Sequence, residues 1–267
     1  MARQRTPEGP PPPPPVQKLR IRYARRGRLR FSSSRDFARA VERALRRARV
    51  PMAFSARFNP RPKISYTGAA PTGTASEAEF FEISLTERVD PDKVRTALDE
   101  ALPDGLDILE VVEAGPGSLA DRLQASEWEI AFPAAEMVEV QRAVAALLAA
   151  PEAPVTRTFK TGPKTFDARA AIVAAQVIRR DRVSALADDV DNGSGGDGYA
   201  ILRVVVQHTT PVVRPDDILT ALRSVADLES AASPVVTRRA QGLLQTAPAG
   251  VADPLAADKD AAGSVGG

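Results

Sequence analysis

RLRFSSSRDFARAVERALRRARVPMAFSARFNPRPKISYTGAAPTG, residues 28–73, decides how this chain is read. Ser33, Ser34 and Asp36 offer capping side chains ahead of an apolar-periodic run. Phe37, Ala40, Val41, Ala44, Leu45 and Ala48 recur at helical spacing and share one face. At about 100° per residue, Arg35, Arg39, Arg43 and Arg46 form a stripe on the other side. Only Asp36 and Glu42 oppose that charge within the helix, and Pro51 is expected to end it. The four guanidiniums repel one another, at a cost of roughly 0.2–0.5 kcal/mol per i,i+4 pair. A polyanion would relieve that repulsion, because guanidinium groups fork onto phosphate oxygens. A solvated helix face in an Arg-rich chain is the competing reading. Beyond the helix, Phe58-Asn59-Pro60-Arg61-Pro62 is a passage that two prolines keep out of helix. It leads into an extended segment at Lys63-Ile64-Ser65-Tyr66 and a turn at Pro71-Thr72-Gly73.

Working outward, Lys18–Phe31 alternates. Leu19, Ile21, Tyr23, Leu29 and Phe31 share one parity, and Arg20, Arg22, Arg28 and Arg30 the other. This predicts a half-buried strand or a hairpin about Arg26-Gly27 with an arginine-rich polar face. Pro10–Pro15 predicts polyproline II or disorder at the start of the chain. Downstream, Glu79–Thr86 reads as a strand, Asp90-Pro91 opens a helix, and Leu106–Glu113 reads as a further strand. The order β-α-β-β-α-β is the ferredoxin-like pattern, an antiparallel sheet with two helices on one face.

The second half repeats the pattern less clearly. Glu127–Phe132 around Trp128 reads as a strand, Ala134–Ala150 as a helix and Val155–Lys160 as extended. Thr165–Val177 stays open: its alanines favour helix, while the order of elements favours a strand. Arg179–Gly198, polar and Gly-rich, predicts a flexible loop. Tyr199–Gln207 is a strong strand, Arg214-Pro215-Asp216-Asp217 starts a helix, and Pro234–Leu244 is a last strand. The expected fold is therefore α+β: two tandem ferredoxin-like (βαββαβ) modules with antiparallel sheets and disordered N- and C-terminal tails. The expected bounds are a Pro-rich tail at 1–16, a basic first module at 17–114, a linker at 115–126, a second module at 127–245 with its loop at 179–198, and a tail at 246–267.

Composition narrows the chemistry. The 267 residues are 43% hydrophobic but only 5% aromatic, which predicts an aliphatic, Ala-rich core. The net charge of +2 hides an asymmetry, since Glu8, Asp36 and Glu42 are the only acids up to Arg61. There is no cysteine, so this chain offers no disulfide, thiol nucleophile or thiolate-held cluster. His208 is the only histidine, which excludes a histidine-rich metal site, and it is expected to be structural or exposed. Ser32, Ser33 and Ser34 include no partnered nucleophile and read as helix caps. Glu77, Glu79 and Glu82 read as a solvated strand rim before a cation site. No apolar run approaches the ~20 residues of a membrane helix, and the start lacks the apolar segment of a secretory signal, so no membrane is expected and cytoplasm is.

The runs GRLRF, S-x-x-D-F-x-R-A-x-E-R-A-L-R-R-A, P-x-x-x-S-x-x-F-N-P-x-P-x-I-S and P-x-G-x-x-S-E-A-E resemble a bacterial family of radical-SAM-associated, or radical-SAM-linked, proteins with a domain of unknown function. The likeness spans roughly Lys18–Leu244. It implies a free-standing member of the actinobacterial type, commonly encoded near an RNase E/G-type ribonuclease, in a family that in many bacteria is fused behind a radical SAM enzyme. The resemblance places histidines where this chain has Ser34 and Arg61, and a glycine at Arg57. Arg61 keeps a cation for phosphate, whereas neither substitute titrates near neutrality.

Three readings follow. The first is a non-catalytic RNA- or ribonucleoprotein-associated protein that binds phosphate through Arg28, Arg30, Ser34, Arg35, Arg39, Arg43, Arg46, Asn59, Arg61 and Lys63, with Phe58, and Tyr66 beside it, able to stack on bases. Burial of both rings in the core is the alternative. The second is an adaptor for a separate ribonuclease or radical SAM enzyme. The third, an RNA-processing or RNA-modifying enzyme, lacks a Gly-rich phosphate loop, paired metal carboxylates at useful spacing and a histidine with a nucleophile. No cofactor, metal or catalytic residue is expected.

Overall fold

The computed structural model describes residues 12–56, 58–180 and 199–263. The Pro-rich start up to Pro11, Arg57 and most of the expected loop, 181–198, lie outside the described residues. The chain is a mixed α+β fold with mostly antiparallel strands, divided into two compact units. The first comprises 1–73, 77–120 and 255–267; the second comprises 74–76 and 121–254.

In the first unit, β1 (Gln17–Arg25), α1 (Ser34–Arg47), β2 (Ile64–Thr67), β3 (Ala75–Leu85), α2 (Pro91–Ala101) and β4 (Leu106–Glu113) follow in chain order. The strands lie in the order β4-β1-β3, with β2 on the far edge of β3. β1–β4 and β2–β3 are antiparallel. Leu19, Ile21 and Tyr23 of β1 and Phe81, Ile83 and Leu85 of β3 pack in one core with Phe37, Val41 and Leu45 of α1 and Val94 and Leu98 of α2. Each such fully buried side chain contributes about 1.5–3 kcal/mol. The centre of this core is aromatic, contrary to the aliphatic expectation. Tyr23 stacks on Phe37 at 4.5 Å between ring centres, and Phe81 and Tyr66 meet Phe37 edge-on at 6.3 and 5.6 Å. A few rings concentrated at one contact outweigh a low average.

α1 starts where its capping chemistry predicts: Ser33 Oγ accepts from the Asp36 amide at 3.2 Å. It ends before Pro51, at Arg47. Arg49 takes a left-handed φ of 53° and the Val50 amide reaches back to the Leu45 carbonyl at 3.0 Å, which closes the last turn.

β1 ends at Arg25, and Gly27–Phe31 forms a 3-10 turn rather than a strand or a hairpin arm. The polar parity of β1 is also not a solvated arginine face. Arg20 is buried, and Arg22 is half-buried with its Nε donating to the Glu77 carbonyl at 2.9 Å. Arg20 Nε donates to Glu82 at 3.0 Å, Nη1 to both oxygens of Asp258, and Nη2 to the Gly117 carbonyl at 2.6 Å. Burial alone would lower the Arg20 pKa, but the bonds to Asp258 and Glu82 outweigh it and hold the guanidinium charged. Asp258 belongs to α6 (Ala256–Gly263), and Ala249–Ala252 forms β11 against the strand Val235–Thr246. The tail from 246 is therefore ordered through these elements, because a buried arginine needs its carboxylate. Residues 115–126 are likewise no free linker. Leu119 of α3 (Leu119–Arg122) is buried, and the Gly115 amide donates to Asp258 at 2.9 Å.

The second unit contains β5 (Ala125–Phe132), α4 (Met137–Ala149), β6 (Pro154–Phe159), β7 (Gly162–Asp167), β8 (Ile172–Arg180), β9 (Tyr199–Gln207), α5 (Pro215–Ala226), β10 (Val235–Thr246) and β11. Its strands lie in the order β10-β5-β9-β8, all antiparallel, while β6 and β7 pair as a separate hairpin. The start of β3, Ala75 and Ser76, pairs parallel with Thr237 and Arg238 of β10. The ambiguous segment 165–177 is extended apart from a 3-10 turn at Arg169–Ala171, so strand pairing overrides its alanine content. Among the described residues no helix is long and apolar enough to cross a membrane.

Candidate nucleic-acid interface

The site is built on three segments of the first unit. The 3-10 turn Gly27–Phe31 carries Arg28 and Arg30 into α1. Arg28 is exposed; Arg30 is half-buried, with its guanidinium 4.8 Å from the centre of the Phe31 ring. The Arg30 carbonyl accepts from the Gly73 amide at 2.7 Å, which ties this turn to the 68–73 loop. Gly73 stands there at φ 89°, with the edge of the Phe31 ring 3.6 Å from where a Cβ would lie.

α1 supplies the second segment. Its buried residues are Phe37, Val41, Ala44 and Leu45, and Ser34, Arg35, Arg39, Arg43 and Arg46 are all exposed on the remaining faces. Arg39 lies 3.9 Å from Asp36, an exposed pair of little consequence.

The third segment is a pinched loop. Phe54 bridges to Pro62, the Ser55 amide donates to the Arg61 carbonyl at 2.9 Å, and the Arg61 amide donates to Ser55 Oγ at 3.1 Å. Pro60 and Pro62 stiffen the stem. Phe58, Asn59, Arg61 and Lys63 project from it, all exposed. The loop feeds β2, whose Tyr66 is the bridge to the helix. Its ring meets Phe37, and its hydroxyl is held above the ordinary tyrosine range by burial and by the charge of Glu42 on α1. The edge strand thus meets the helix beside the carboxylate that Arg39 and Arg46 flank. Among the described residues, Arg28, Arg35, Arg43, Arg46, Arg61 and Lys63 have no acidic side-chain partner.

The acids of β3 that follow this region are spoken for. Glu77 takes Arg26 through two bonds of 2.8 and 2.5 Å. Glu79, fully buried, accepts from the Ala70 amide, and Glu82 takes Lys18 and Arg20. They are not the solvated rim their sequence predicts. Among the described residues no cluster of His, Asp and Glu is arranged to hold a metal ion.

One pairing escaped the sequence reading. His208 Nε2 lies 2.8 Å from Ser126 Oγ, and Nδ1 lies 2.7 Å from the Leu123 carbonyl. A carbonyl only accepts, so Nδ1 carries the hydrogen and Nε2 is the acceptor for the serine. Burial holds the imidazole below its ordinary pKa, and Arg238 pushes the same way. Ser126 is only 1% exposed, so this pair satisfies buried polar groups rather than meeting a substrate. The register could have exposed it: Ser126 faces Val206, two residues before His208.

Residues 18–215 match DUF2344, described as uncharacterized protein conserved in bacteria. The chain belongs to this family. The match takes in all of the first unit's basic turn, helix and loop. No curated protein matches the chain. Two DyP-type peroxidase structures are among those to which this DUF2344 member shows a weak likeness. The encapsulated DyP-type peroxidase from Mycobacterium smegmatis is 9% identical, with 85% of this chain and 95% of that one covered, at a TM-score of 0.22. A heme-bound DypB variant from Rhodococcus jostii RHA1 is 12% identical, with 84% and 93% covered, at 0.21. At these scores neither likeness informs the fold or the chemistry of the DUF2344 chain.

Proposed function

We propose that this protein is a non-catalytic RNA- or ribonucleoprotein-associated protein that holds the phosphate backbone on the arginine side of its first unit. The observation that carries the reading is the set of exposed cations on the turn, α1 and the pinched loop that lack acidic partners among the described residues. Elsewhere in the same unit, arginines are consumed by carboxylates: Arg20 by Asp258 and Glu82, Arg26 by Glu77 and Asp107, Arg88 by Glu113. A surface that leaves its guanidiniums unneutralised beside one that pairs them suits a polyanionic ligand, through counterion release and forked phosphate contacts.

Both units follow the strand order fourth, first, third, second if the β6–β7 hairpin is treated as an insertion. We read them as tandem ferredoxin-like modules, the second enlarged by that hairpin. The reading goes with a cytoplasmic location, where bacterial RNA resides. The resemblance to radical-SAM-linked proteins adds that the RNA is handled together with a separate enzyme, a ribonuclease or a radical SAM enzyme.

The test is the double charge reversal Arg39→Glu with Arg43→Glu. RNA affinity falls about tenfold or more, as for loss of two phosphate contacts. The melting temperature changes little, because both side chains stand off the core. Unchanged affinity in the folded double variant removes the proposed site.

A further inference from the structure

The first unit exposes aromatic rings, of which only Tyr66 also packs into its core. Phe58 is 73% exposed, Phe31 61%, Phe54 44% and Tyr66 40%. Among the described residues these are all the large exposed aromatics. They fall on the same turn, loop and edge strand that carry Arg28, Arg30, Arg61 and Lys63. Among the described residues of the second unit the exposed large apolar side chains are aliphatic: Val138, Val212 and Leu243.

We infer that the ligand is single-stranded, with unpaired bases stacked on Phe58 and the rings around it while the neighbouring cations hold the phosphates. This rests on the RNA reading above and narrows it. A duplex keeps its base faces against one another and offers a protein only edges and backbone. Exposed rings therefore gain nothing from duplex RNA. Unpaired bases have free faces, and aromatic platforms beside a cationic track are how sequence-tolerant single-strand binding is built. The loop geometry fits the role. The Ser55–Arg61 bonds and the flanking prolines fix the stem from which Phe58 projects, so little ordering remains to be done on binding. Arg30 against the Phe31 ring sets a cation beside a stacking face.

The experiment compares a labelled oligouridine with a hairpin duplex of equal nucleotide count, at low and moderate salt. It uses the wild-type chain, Phe58→Ala and the Arg39→Glu/Arg43→Glu variant. The single strand binds at least about tenfold more tightly than the duplex, and Phe58→Ala weakens it about five- to a hundredfold while leaving duplex binding unchanged. Thermal melting confirms that the Phe58 variant is folded. Equal affinity for the two RNAs, or full single-strand affinity in Phe58→Ala, overturns the inference. If the Arg39→Glu/Arg43→Glu variant still loses RNA in that case, the broader reading stands. Absence of salt-sensitive binding to either RNA overturns both, and assigns the rings to a protein-facing surface.

Discussion

Arg20 and Asp258 are joined across nearly the whole chain: the fully buried guanidinium donates from Nη1 to both Asp258 carboxylate oxygens, at 2.8 and 2.9 Å. The pair fastens α6 to the first unit. Removing Asp258 strips the fully buried guanidinium of the carboxylate that takes Nη1 and leaves only Glu82 to offset its charge, so Asp258→Ala costs about 3–5 kcal/mol. Arg88→Ala, which breaks the exposed pair with Glu113, costs at most about 1 kcal/mol. Urea unfolding of the two variants checks the contrast. Equal and small losses would mean that Glu82 and Gly117 alone compensate Arg20.

The single histidine makes a pH test unambiguous. His208 is held below its ordinary value by burial, so the folded state prefers it neutral. Its stability contribution is complete above the unfolded pKa of about 6.5 and is lost as pH falls through the lower folded value. The imidazole resonance titrates with a midpoint below 6.5. His208→Gln flattens the wild-type loss of unfolding free energy in the same window, and an ordinary midpoint would contradict the buried bonds to Ser126 and Leu123.

Gly242 tests the pairing of β10 with β11. A Cβ there would fall 2.0 Å from the Ala252 carbonyl oxygen, and that backbone cannot yield as a flexible side chain would. Gly242→Ala destabilises by about 1–3 kcal/mol or more. Gly250→Ala, where the nearest atom is at 3.7 Å, stays within about 0.5 kcal/mol. Thermal melting of the two variants separates the cases.

These contacts mark how much was legible in the sequence. α1 was, since Phe37, Val41, Ala44 and Leu45 recur with the helical period and Ser33 caps them locally. The succession of strands and helices along the first unit followed from the same local signals. Arg20 was not legible: alternation assigns it to the face opposite Leu19, but cannot say that a helix 238 residues away covers that face. The Ala-, Gly- and Asp-rich composition of that helix reads as a solvated tail, because what holds it are distant partners, Arg20 for Asp258 and Glu110 for Lys259, and not its own periodicity. Phe58 and Tyr66 look alike in sequence, yet one projects from a pinched loop and the other packs on Phe37. The arginines of α1 stand exposed as their spacing required, whereas in β1 Arg20 is absorbed by carboxylates of β3 and α6, and Arg22 and Arg25 donate to the backbone carbonyls of Glu77, Ala70 and Pro71.

The central claim is that this cationic surface exists for phosphate. The measurement that tests it most directly is the affinity of the purified chain for total cellular RNA over a salt series, with the retained RNA sequenced. With the cations of the turn, helix and loop engaged together, affinity falls roughly a thousandfold between about 50 and 200 mM salt, and the retained RNA is enriched in one class. Binding that ignores salt, or no binding at low salt, would contradict the account and leave the arginines of α1 as a solvated helix face.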